Sequence, residues 1–232
     1  MAWQTPRIGL HVAPGAVTAY DLRSRRPLGT DATVAAALAP FAGTRARLSV
    51  VLSDAHCRCV VTPRPPGARN RSELEAAAES RVRTLFGDTE RWRVELGAPP
   101  ASGPDFIAAA DAGVLDTLEG AADAARLRIV SVRPHWVAWL RHFGPDVRRG
   151  AHWVVSVDGG WATLGHVRAG QCVQARTVRL APGLPLEDLI ARERSLADVP
   201  DASAPVWIGA AGAAPASAVP ATALWNVEGA AA

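Results

Sequence analysis

Lysine is missing from this chain: every one of its 25 Lys+Arg positions is arginine. That excludes a Schiff-base lysine, a Ser-Lys dyad and a phosphate-gripping lysine. Together with the abundant alanine it reads as the base-composition bias of a GC-rich genome. Cysteine is scarce, with three residues, Cys57, Cys59 and Cys172. A small odd number excludes a disulfide framework and points to a reducing compartment. Cys57 and Cys59 fall on one side of a strand, with Cα atoms about 6.8 Å apart, the far limit for a bridge. His56 to Cys59 has no second ligand pair with zinc spacing, so no metal is expected there or elsewhere. No apolar run reaches 18 residues, and Met1 to Pro6 is too short and polar for a signal peptide. No Gly-x-Ser-x-Gly elbow supports a hydrolase. The net charge of +3 is spread out. Its one run, Arg23, Arg25 and Arg26, reads as a solvated turn, so no nucleic-acid-binding face is expected.

What is present is a pattern that occurs twice. Arg7 to Tyr20 is an apolar run, a turn at Pro14-Gly15 and a second β-prone run. His152 to Leu164 repeats it around Gly159-Gly160. The second turn carries an acidic residue, Asp158; the first has His11 at what reads as the matching place. With 49% hydrophobic and 20% charged residues the chain is long enough for a sizeable core.

Strands are expected over about 7–13, 16–22, 47–53, 56–62, 91–96, 105–110, 127–132, 152–158, 161–168, 171–179, 206–208 and 222–227. Asp31 reads as the cap of a helix running to Phe41. Ser72 to Glu75 has the form of a capping box opening an amphipathic helix over 71–86, stopped by Gly87. Further helices are expected from Leu115 to Ala125, from Pro134 to about Phe143, and after Pro185. The Ala/Pro stretch 210–221 is left open between helix and loop. Each half reads as a three-strand meander followed by helices alternating with strands, an α/β architecture of mixed sheets. His135, Trp136 and Trp139 share a helix and read as core with a wet edge. Among eight tryptophans, Trp3 and Trp225 are candidates for an exposed partner surface.

Ile8 to Val17, the phrase Leu48 to Asp54 with its following strand and helix, Leu127 to Pro134 and the hairpin at Asp158 resemble the actin-like ATPase superfamily, specifically the PilM and GspL-like cytoplasmic proteins of type IV pilus and type II secretion systems. The resemblance covers most of the chain in order. It implies a two-lobed actin-like (ribonuclease H-like) fold. The N-terminal lobe would span 1–132, with an inserted subdomain over about 46–110, and the C-terminal lobe 133–232. In that superfamily two hairpin turns grip the phosphates of a nucleotide, each through an Asp, a Gly and a hydroxyl residue. Asp158, Gly160 and Thr163 match in the second turn. Gly209, in Ile208 to Gly212, matches one of the glycines of the adenosine-contacting turn. In the first turn His11 replaces the Asp, Ala13 the Gly and Pro14 the hydroxyl residue. Imidazole is a poor ligand for Mg²⁺. The expectation is therefore a vestigial site and no catalytic residue. No cofactor is expected, with ATP and Mg²⁺ as the ligands the second turn could still hold. The role implied is a scaffold at the cytoplasmic face of the inner membrane, docking the cytoplasmic tail of a pilus or secretion protein and able to self-associate as a homodimer. It would meet the membrane only through partners. The competing expectation is a nucleotide-binding ATPase or small kinase of the same superfamily.

Overall fold

The computed structural model describes residues 7–24, 26–97, 103–140, 149–197 and 206–210. The first lobe is a five-stranded sheet built from β1 (Arg7–Ala13), β2 (Ala16–Asp21), β3 (Arg26–Asp31), β4 (Arg47–Leu52) and β8 (Arg128–Pro134), in the order β3-β2-β1-β4-β8. The second is a four-stranded sheet of β9 (Ala151–Asp158), β10 (Trp161–Arg168), β11 (Gln171–Arg179) and β12 (Val206–Ala210), in the order β11-β10-β9-β12. In both, an antiparallel meander is joined by a parallel strand lying against its first member: β4 beside β1, β12 beside β9. The expected repetition is therefore present in the strand order itself.

Several local expectations shift. Arg26–Asp31, where no strand is expected, is a third strand; every residue of it is exposed, so no alternation betrays it, and Pro27 sits on an outer edge that tolerates a missing N–H. Asp31 does not cap a helix; Thr33 does, accepting from the Ala36 N–H, and opens the short helix α1 (Val34–Leu38). Helix α2 (Arg71–Phe86) begins where expected, but Asn70 is its cap and Glu73 returns the bond to the Arg69 N–H. Arg47–Leu52, which the sequence reading grouped with the inserted piece, belongs to the first-lobe sheet. It lies between β1 and β8 and is buried along nearly its whole length. The inserted sheet is β5 (Cys57–Thr62), β7 (Asp105–Asp111) and β6 (Trp92–Leu96), covered by α2 through Ala78 and Val82. Arg133 and Pro134 still pair with Val51 and Leu52 in the first sheet, beyond the expected boundary at 132. Residues 211–232, including the strand expected over 222–227, and Trp3 lie outside the described residues.

Each main sheet covers one face with its own helices. Leu10, Val12, Leu48, Val50 and Leu52 pack against α1 and α3 (Ala112–Ala124). Trp153, Val155 and Leu164 pack against α5 (Leu186–Leu196). The remaining faces look toward each other across α4 (135–140), whose Trp136 and Trp139 form one apolar cluster with Tyr20, Val51, Val154 and Val167. These tryptophans are fully buried, with no wet edge.

Two glycines explain how α4 gets so close. A Cβ on Gly165 of β10 would fall 2.1 Å from the Trp136 ring, and one on Gly209 of β12 would fall 2.1 Å from the Trp139 ring. Each indole lies directly on bare backbone, and Trp136 also donates from Nε1 to the Val154 carbonyl at 2.9 Å. A methyl here displaces a packed ring, so Gly165→Ala is expected to cost about 3 kcal/mol. Gly29→Ala, where a Cβ meets nothing within 4 Å, is expected to be near neutral. Urea unfolding of the two variants checks this; equal stabilities would contradict the close approach.

Candidate functional site

The site forms where the ends of β1, β4 and β9 converge. β4 runs parallel to β1, and the Ser53 N–H extends the ladder by donating to the Val12 carbonyl at 2.9 Å. This brings the 3₁₀ turn Asp54–His56 beside the first hairpin turn. Arg58 pins that turn by donating to the carbonyls of Asp54 and Cys57, at 3.2 and 2.7 Å, while its guanidinium lies over the Trp161 ring at 3.8 Å.

Asp54 has no exposed surface. Its Oδ2 accepts from Ser156 Oγ at 2.6 Å and faces His135 Nδ1 at 3.4 Å; its Oδ1 accepts from Thr163 Oγ1 at 3.0 Å. The proton directions follow from the donor inventory. Trp139 Nε1 can only donate, and it meets His135 Nε2 at 3.0 Å. Nε2 is therefore the acceptor, and Nδ1 carries the proton that faces Asp54. Thr163 spends its hydroxyl proton on Asp54, so its contact with Thr177 Oγ1 at 2.9 Å must be donated by Thr177. Thr177 in turn accepts from the Cys59 N–H at 3.0 Å. One relay thus runs from the inserted sheet through the second lobe to a carboxylate of the first. Cys57 and Cys59 are buried beside it, and burial pushes both thiols well up.

Above Asp54 the two hairpins touch. His11 Nε2 donates to Asp158 Oδ2 at 2.6 Å, both side chains buried. The His11 ring tilts against His135 with centroids 5.6 Å apart. Burial alone would raise the Asp158 carboxyl; the hydrogen bond from His11, electrostatic attraction to His11 and His135, and the Ser53 hydroxyl together outweigh it and hold the group below its usual range. Gly159, with φ +59°, has its α-carbon so close to the first lobe that a Cβ would lie 2.7 Å from Ser53 Oγ and 3.2 Å from Pro14 Cδ.

The structure brings together part of what the sequence singled out. Asp158 and Thr163 are both here, but Thr163 gives its hydroxyl to Asp54. Gly160 has φ +75° and open space around it; it serves the two-residue turn, while Gly159 makes the close approach. Gly209 lies under the Trp139 ring. Counting back from each hairpin's closing pair, Ala13–Ala16 and Asp158–Trp161, the counterpart of His11 is Ser156, and that of Asp158 is Ala13. His11 and Asp158 therefore do not occupy matching places. Asp54 and His135 were missed as site residues. The available signal is a carboxylate directly after a continuous buried strand.

Asp54→Asn turns one acceptor oxygen into an NH₂ facing groups that donate to it, and is expected to destabilise the protein by roughly 1–3 kcal/mol in urea unfolding. A cost under about 1 kcal/mol would contradict the donor assignment. Asp158 has a folded pKa below its unfolded value of 3.8. Its contribution is present above that value and is lost as pH falls through the folded pKa. In metal-free buffer the wild type is expected to lose stability below about pH 4 more steeply than Asp158→Asn. Parallel acid limbs would contradict the shift.

No family model matches the sequence, and no curated protein matches it. Solved structures match the fold. A Bacteroides thetaiotaomicron protein of unknown function with an actin-like ATPase fold aligns over 90% of this chain and 83% of its own, at 12% identity and TM-score 0.58. The cytoplasmic domain of EpsL, an inner-membrane component of the Vibrio cholerae type II secretion system, aligns over 95% of this chain and 92% of its own, at 10% identity and TM-score 0.58. The PilM–PilN type IV pilus biogenesis complex aligns over 82% of this chain at 16% identity and TM-score 0.54; this chain spans 65% of the matched one. Among the described residues no helix is long and apolar enough to cross a membrane. With its duplicated meander-plus-parallel-strand sheets and these structural likenesses, the chain has the two-lobed actin-like fold, as the PilM and GspL-like resemblance implied.

Proposed function

We propose that this chain is a non-catalytic actin-like scaffold that docks inner-membrane components of a type IV pilus or type II secretion machine. It works at the cytoplasmic face of the inner membrane and is held there by the cytoplasmic tail of a partner. The observation that carries this reading is the direct His11–Asp158 contact at 2.6 Å between the two turns that would flank a nucleotide's phosphates. Phosphoryl transfer needs donors and a metal poised around those phosphates. Here Asp158 is spent on His11, Thr163 on Asp54, and Gly209 lies beneath an indole. Fold likeness to the EpsL cytoplasmic domain and to PilM in its complex with PilN supports the docking half of the reading.

Titration calorimetry with Mg·ATP and a phosphate-release assay test the non-catalytic half. No saturable binding at millimolar nucleotide and no turnover above the protein-free blank are expected. Micromolar binding with turnover would refute it. Fluorescence anisotropy with labelled cytoplasmic segments of single-pass membrane proteins encoded beside this chain tests docking. One segment is expected to bind in the micromolar range, and failure of all of them would refute that half.

A further inference from the structure

We propose that His11, His135 and Asp158 form a binding site for a late first-row dication, Zn²⁺ in particular, that bridges the two lobes. One ligand atom from each residue lies within 4.8 Å of the other two, and all three side chains are buried. They come from three elements: β1, the first residue of α4 and the last residue of β9. An ion held by all three would fasten the hairpin of one lobe to that of the other. The donor set of two imidazoles and one carboxylate suits Zn²⁺ or Co²⁺ and not Mg²⁺ or Ca²⁺, which demand oxygen. It also leaves a fourth position for solvent. Two buried carboxylates, Asp54 and Asp158, stand in the cluster, and a dication compensates both charges. Asp54 lies 3.4 Å from His135 Nδ1 and adds negative charge beside the imidazole.

Binding carries a structural consequence. A neutral imidazole has a single nitrogen lone pair. Once the ion takes that of His135, Nε2 is either the metal ligand or the protonated nitrogen, and in both cases it can no longer accept from Trp139. The bond at 3.0 Å between Trp139 Nε1 and His135 Nε2 therefore breaks on loading. His11 likewise moves its proton off Nε2, giving up its hydrogen bond to Asp158 as both become ligands. The site does not depend on the docking function above; a scaffold or an enzyme could carry it.

The test uses untagged full-length protein stripped by a chelator and titrated with Co²⁺. Visible d–d bands are expected to saturate at one equivalent and to be displaced by Zn²⁺ but not by Mg²⁺. The indole N–H resonance of Trp139, assigned with Trp139→Phe, is expected to shift. His11→Gln and Asp158→Asn are expected to weaken binding roughly 100-fold, while His152→Gln leaves it unchanged. Should the variants fail to fold, X-ray absorption of the Zn²⁺-loaded wild type decides: two imidazoles with oxygen and no sulfur are expected. Absence of the d–d bands, sulfur in the shell, or bands unaltered in both site variants would overturn the proposal.

Discussion

A carboxylate with no exposed surface must be surrounded by donors, and the Asp54 carboxylate sets the arrangement of this molecule. Left unpaired in the interior, such a charge would cost several kcal/mol. Ser156 and Thr163 meet it from the second lobe, and His135 from the helix between the lobes. Each of these is oriented in its turn. Thr177 donates to Thr163, the Cys59 backbone donates to Thr177, and Trp139 donates to His135. The relay leaves little freedom for the two main sheets and the inserted sheet to move apart, because separation would strand a buried charge.

The duplicated sheets are alike in order and unlike in use. The first lobe supplies a proline-glycine turn and a histidine two residues before the strand ends. The second supplies a glycine pair whose bare Gly159 backbone lets that proline approach. The helix α4 is wedged where bare glycine backbone on β10 and β12 admits two indoles. Electrostatic contact at the hairpin ends and apolar contact along α4 thus close the same interface from two directions, each with its own chemistry.

Much of the architecture was legible in the sequence. β9, β10 and β11 are β-prone runs separated by glycine turns, so their limits emerge within a residue. Helix α2 carries Leu74, Ala78 and Val82 at helical spacing. β3 escapes the sequence because an edge strand exposed throughout has no periodicity to read. The pairing of β4 with β1 was missed because a strand buried on both faces shows only an apolar run, which fits the inserted piece equally well. The cluster was hardest. His11 and Asp158 lie 147 residues apart, and Asp54 lies 109 from Thr163. Residue type and spacing mark a turn residue or a strand histidine; only the fold reveals that they face one another.

Direct side-chain contact between the two turns holds the lobes together. A double-mutant cycle on His11→Ala and Asp158→Ala, followed by urea unfolding in the presence of a chelator, measures that contact alone. A coupling energy of about 1–3 kcal/mol is predicted for a buried hydrogen-bonded pair of this kind. Additive effects, with coupling indistinguishable from zero, would contradict it.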